Sequence, residues 1–161
     1  MDVQAIFGLQ FFLSLVVWSL IARWLLAPWL DKLPPNDALF WLVLPHAFRH
    51  VGLVFLVPGV VVQPLPGGFA DLAAYGDLTA ALLALASLVA LRSGWAGAVA
   101  LVWVFNIVGT VDLLNALRQP GAIPDFGAAW YIPTFLVPLL LVTHFMIFVR
   151  LIGRARSVGA T

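Results

Sequence analysis

Five long apolar runs, separated by short segments rich in Pro, Gly and Asp, make up almost the whole chain. Each is long enough to cross a hydrocarbon core that needs about 20 apolar residues in helical form. The pattern predicts helices over about 3–22, 37–62, 71–91, 95–117 and 128–152, with a short tail over 153–161. The expected fold is all-α: one domain, an integral membrane bundle of five transmembrane helices with short loops.

Local chemistry sets the expected boundaries. Pro28 and the turn from Asp31 to Asp37 close the first helix, and Asn36 or Asp37 is expected to cap the second. Pro58-Gly59 weakens the far end of that second helix. The third could begin at Asp71 or Asp77. Starting at Asp77 would leave about 15 residues, roughly 22 Å, too short to cross. The start is therefore placed near Asp71, which puts Asp77 inside the helix. Ala80, Ala84, Ala86 and Ala90 suit close helix approach. In the fifth helix Pro133 lies near the start, whereas Pro138 lies inside and frees the carbonyl of Thr134.

Composition supports the membrane reading. Of 161 residues, 63% are hydrophobic and 9% charged, and the mean hydropathy is +1.08. A soluble domain is about half apolar and about a quarter charged, and one this apolar would expose large aggregating patches. A net charge of +1 argues against a nucleic-acid partner. Cysteine is absent, which removes disulfides, thiolate ligands and a cysteine nucleophile; glutamate is absent too, and every acid is Asp. Met1-Asp2-Val3-Gln4 lacks the positive start of a secretory signal, so the first run is expected to remain as a helix. No phosphate-binding glycine loop, Gly-x-Ser-x-Gly elbow or His-Glu-x-x-His pair occurs, so no reaction is named.

Basic residues give the orientation. With alternating helices, Arg23, Lys32, Arg92, Arg150, Arg154 and Arg156 fall on one side and Arg118 on the other, with Arg49 inside a span. The positive-inside rule then predicts a bacterial-type inner (plasma) membrane protein, its N-terminus outside and its C-terminus cytoplasmic. Trp24, Trp29, Trp41, Trp95, Trp130 and Tyr131 fall near the expected interfaces, where amphipathic rings anchor.

The candidate chemistry centres on Pro45-His46-Ala47-Phe48-Arg49-His50. At α-helical pitch His46 and His50 share a face one turn apart, with Arg49 on the same side. Ionisable groups inside a span must face protein or water, and they form the default functional hypothesis. Counting 1.5 Å per residue brings Asn106 and His144 to similar depth, in the cytoplasmic half. His46, Arg49, His50, Asn106 and His144 are thus the expected ligand-binding set, with Phe48 and Trp103 as apolar cover. His46, His50 and His144 are candidate ligands for a divalent metal or a haem, with Asn106 orienting a ring and Arg49 pairing a propionate. No carboxylate is expected at that depth. Asp77, Asp112, Asn115 and Arg118, with Tyr75 beside them, form a second polar group nearer the outer face, where Arg118 or interfacial water is expected to satisfy Asp112; the functional alternative links this group to the inner one.

The leading expectation is a multi-pass protein that binds a small amphipathic or anionic ligand, a metal or a haem in this intramembrane pocket. One alternative is proton-coupled or cation transport through the Asp and His residues. Another is an accessory subunit of a membrane complex. Expected partners are the bilayer, a small hydrophobic or anionic ligand, and a homo-oligomer or membrane-complex partner. Reporter fusions at the C-terminus are expected to be active only with a reporter that works in the cytoplasm; activity of an exported reporter there would reverse the orientation.

Overall fold

The computed structural model describes residues 1–158, with side chains through residue 155. Five helical segments are long and apolar enough to cross a membrane: α1 (Val3–Leu30), α2 (Pro35–Leu56), α3 (Pro66–Ser93), α4 (Ala98–Leu117) and α5 (Gly127–Ala155). The bundle is all-α, as the hydrophobic pattern predicts. α3 packs along α2 and α4, and α5 packs against α4, α2 and α1. α1 lies outside the other four, with only 6% of its apolar window buried. Its tie to α5 includes a hydrogen bond from Trp130 Nε1 to Gln10 Oε1 (2.6 Å) and one from Trp18 Nε1 to the Phe135 carbonyl (3.2 Å).

Prolines explain where the elements depart from the simple pattern. α1 does not stop at Ala22 but runs through Pro28 to Leu30, because a wide π turn over Ala22–Leu26 precedes the proline. There Ala27 N–H reaches back five residues to the Ala22 carbonyl, and the looser turn accommodates a ring with no N–H to donate. The same device recurs in α5, where Val137 N–H bonds to the Ile132 carbonyl just before Pro138. α2 begins at Pro35 with Pro34 as its N-cap and no side-chain cap, in place of the expected Asn36 or Asp37. It ends at Leu56, six residues short of the expected Val62. α3 turns α-helical at Phe69 and α4 at Ala98. The expected tail is helical through Val158, and residues 159–161 lie outside the described residues.

The largest departure is in α2. From Pro35 to Val43 it is α-helical, but from Leu44 to Leu56 it is a 3₁₀ helix. Pro45 enters at the changeover, where it cannot donate to Trp41. Runs of 3₁₀ beyond three or four residues are uncommon and often mark strained or functional segments. At three residues per turn, i and i+3 eclipse. The buried residues of this stretch follow that period: His46, Arg49, Gly52 and Phe55. His50 falls off the stripe and is exposed.

One end of the bundle, here the basic end, carries Arg23, Arg92, Arg150 and Arg154. Arg150 pairs with Asp31 (2.8 Å), Arg154 bonds to Asn36 (2.8 Å), and Arg92 lies over the Phe40 ring. Inward from it is a dry core that includes Leu39, Leu42, Val43, Leu88, Val102, Phe105, Ile147 and Leu151. At the distal end the loops over 57–65 and 118–126 close on each other through Val62 N–H to Asp125 O and Ala128 N–H to Val60 O, both 2.9 Å. Gly127 has φ +49° there, and a Cβ on it would strike the Val60 carbonyl.

The lack of native cysteine makes the 3₁₀ stripe directly testable. Nitroxide labels on single cysteines at positions 48, 50 and 51 are expected to be strongly relaxed by molecular oxygen, which partitions into the bilayer, and those at 46, 49, 52 and 55 to be protected from it. Equal protection of positions 46 and 50 would instead restore α-helical pitch.

Candidate functional site

Arg49 is the largest side chain buried in the described core, at 1% exposure. Its guanidinium reaches three acceptors on two other helices. Nε donates to Asp77 Oδ1 of α3 (2.7 Å), Nη1 to the Gly109 carbonyl of α4 (3.1 Å), and Nη2 to Asp112 Oδ2 of α4. Asp77 and Asp112 therefore do not form a separate outer group: both are ion-paired with the arginine assigned to the inner one. The expectation of no carboxylate at that level is overturned.

The end of α2 is part of the reason. Because it falls at Leu56 and not at Val62, Arg49 lies about 14 Å from the distal end of α2 at 2.0 Å per residue. Asp77 lies about 12 Å along α3 from Phe69, and Asp112 about 8 Å from the distal end of α4. The long arginine stem spans the remaining difference. Asp112 accordingly pairs with Arg49 and not with Arg118, which is exposed near the end of α4.

Glycines create the space for this triad. A Cβ on Gly52 would collide with the Asp77 carboxylate, and one on Gly76 with the Asp112 carboxylate. A Cβ on Gly109 would lie 2.9 Å from both Arg49 Nη1 and His144 Nε2. Each charged group thus fits against bare backbone of a neighbouring helix, the close approach that small residues permit in membrane bundles.

Beside the arginine two imidazoles meet. His46 of α2 and His144 of α5 have ring centroids 4.1 Å apart, with Phe105 against both at 5.0 and 5.4 Å. Asn106 Nδ2 donates to the His144 carbonyl (3.2 Å), which turns Asn106 Oδ1 toward His144 Nδ1 (2.7 Å). Nδ1 therefore carries the His144 proton. Thr143 Oγ1 is 3.0 Å from the carbonyls of Leu139 and Leu140 and 2.9 Å from His46 Nε2. A hydroxyl has one proton to give; with it on a carbonyl, His46 Nε2 is the donor. The remaining ring nitrogens, His46 Nδ1 and His144 Nε2, are buried and have no hydrogen-bond partner.

Several expected members lie elsewhere. His50 bonds its own chain, Nδ1 to the Ala47 carbonyl (2.9 Å), and faces outward. The trio His46, His50 and His144 does not converge, and among the described residues no group of three or more His, Asp, Glu or Cys could hold a metal. The His46 and His144 rings, which the haem expectation set on either side of a macrocycle, lie in contact with each other. Phe48 is exposed, and Trp103 packs on Phe148 (5.7 Å) away from the imidazoles. Asn115 and Tyr75 line a lateral groove between α3 and α4 that also touches Asp112. Phe105, Gly52, Gly76 and Gly109 belong to the site although the sequence reading did not select them. For Gly52, the i+3 spacing from Arg49 is the signal that could have found it.

Asp77 and Asp112 also line a pocket at the distal end, walled mainly by apolar residues including Phe7, Phe55, Phe69, Phe126 and Val137. Space for water-sized occupants amounts to about 50 Å³, enough for a few waters.

Residues 6–152 match a protein family described as a domain of unknown function (DUF8737). The chain belongs to that family. No curated protein and no solved structure matches it. The family description assigns no activity, so the geometry of the triad and imidazole pair carries the functional argument.

Removing one partner from a buried ion pair leaves an uncompensated charge and costs about 3–5 kcal/mol. Arg49→Met alone is expected to destabilise the detergent-purified protein by about that amount, read as a lowered thermal midpoint. The triple variant Arg49→Met, Asp77→Asn, Asp112→Asn should recover much of the loss. A single variant as stable as the parent would mean that the triad does not hold the bundle together.

Proposed function

We propose that the protein is a membrane-embedded binding protein for a small amphipathic cation, received at the distal end. The observation that carries this reading is one arginine serving two carboxylates. With both aspartates ionised, the triad has one negative charge in excess, and both carboxylates also border the pocket. In a low-dielectric site that excess favours a positive partner. The surrounding Phe7, Phe55, Phe69 and Phe126 supply apolar walls and ring faces that suit a cation with an apolar body.

Of the ligands expected from the sequence, this favours a cation over an anion. An anion would have to compete with Asp77 and Asp112 for a guanidinium they already engage. Binding is also better supported than passage. On the basic side of His46 and His144 the polar groups give way to the packed core around Leu42, Val43, Leu88 and Val102, where the buried Ser87 hydroxyl is already given to the Leu83 carbonyl. With the basic end in the cytoplasm of a bacterial-type inner membrane, the pocket would open toward the outside.

Choline and its uncharged isostere 3,3-dimethylbutan-1-ol separate charge from shape. Calorimetry on the detergent-purified protein should show choline binding at least about tenfold tighter, an advantage of about 1.4 kcal/mol. Asp112→Asn should abolish the preference. Equal affinities for the two probes, or no choline binding, would sink this reading.

A further inference from the structure

We infer that His46 and His144 are positioning residues that receive the Arg49 guanidinium when a cation occupies the carboxylates, an inference that rests on the cation reading above. Two fully buried imidazole nitrogens without a partner are unusual, because buried polar groups nearly always find one. Here Thr143 and Asn106 each engage the opposite ring nitrogen and so hold His46 and His144 with a bare lone pair on Nδ1 and Nε2 respectively. An arrangement that fixes two vacant acceptors calls for a donor, and Arg49 is the nearby group with donors to spare. Of its five N–H groups, three are engaged by Asp77, Gly109 and Asp112.

The route is short and open. Arg49 Nη1 and His144 Nε2 lie 2.9 Å from one point above Gly109, a point that any side chain at that position would fill. The guanidinium can turn toward the imidazoles about its own stem, with no shift of helix. That turn answers a difficulty in the cation reading. A cation drawn to Asp112 competes with Arg49 for the same carboxylate, and a displaced guanidinium would otherwise be a buried charge without acceptors. His46 Nδ1 and His144 Nε2 supply those acceptors, while Nε can keep its bond to Asp77. The charged and titratable groups facing the pair are Arg49 from α2, Asp77 from α3 and Asp112 from α4. α5 contributes Thr143 and His144 itself, and His50 faces away.

The side-chain ¹⁵N resonances of histidine, recorded in detergent micelles, distinguish a bare ring nitrogen from one that accepts a hydrogen bond. At rest, His46 should carry its proton on Nε2 and His144 on Nδ1, with the other two nitrogens bare. Adding choline should move the His46 Nδ1 and His144 Nε2 resonances upfield. Asp112→Asn, which weakens the hold on Arg49, should move them in the same direction without ligand. Gly109→Ala should suppress the choline-induced shift. If choline binds and neither resonance moves, the inference fails and the cation reading stands. If Asp112→Asn moves the resonances but choline does not bind, the arginine turn stands and the cation reading fails. Resonances unmoved in both experiments overturn the inference outright.

Discussion

A guanidinium at the centre of a membrane bundle sets the terms for everything around it. Arg49 cannot shed its charge, and in hydrocarbon an arginine without partners costs at least a few kcal/mol. The fold meets that demand from two neighbouring helices at once: Asp77 from α3, and Asp112 with the Gly109 carbonyl from α4. Three helices that would otherwise pack only through interchangeable apolar side chains are thereby tied in one register. A slide of α3 or α4 by one turn would leave that helix's carboxylate unpaired and Arg49 short of an acceptor, so the ion triad specifies the packing as well as contributing to its energy.

The backbone yields to make the triad fit. Changing α2 from α to 3₁₀ at Pro45 lengthens it by about 0.5 Å per residue and aligns His46, Arg49, Gly52 and Phe55 on one stripe. Gly52 on that stripe accepts the Asp77 carboxylate against bare backbone, as Gly76 does for Asp112. The two adjustments depend on each other. The 3₁₀ period brings Gly52 into line directly beneath Arg49, and with a side chain at Gly52 the carboxylate could not approach. Such a concentration of strained pitch, small residues and ionisable groups is the pattern expected of a functional centre and not of a packing seam alone.

The membrane fold was legible because hydrophobic run length depends on composition and little else. Placing Asp77 inside its helix was legible too, since a helix starting there would be too short to span. The make-up of the site was not. Splitting Arg49 from Asp77 and Asp112 followed from running α2 on to Val62, six residues past its end at Leu56, and pairing His46 with His50 followed from assuming α-helical pitch. A proline signals a disturbed helix but does not say which alternative pitch follows it. The demand of Arg49 for partners was readable, but which acids answered it depended on helix adjacency, which depth alone does not determine.

Polarity is distributed unevenly along the bundle axis, and this asymmetry bears most directly on what the site can do. From the distal end, an apolar-walled pocket leads to two carboxylates, then to the arginine, then to the two imidazoles, and there the sequence of polar groups stops. Beyond lie Leu42, Val43, Val102 and Phe105, all buried and closely packed. An ion moving further would meet only the Ser87 hydroxyl, already bonded to the Leu83 carbonyl, at a cost that the apolar surroundings do not repay. The polar column is therefore open toward the distal end and closed toward the basic end. The two bare imidazole nitrogens stand at its closed end, where no solute need reach them, so their acceptors are available to the guanidinium already inside.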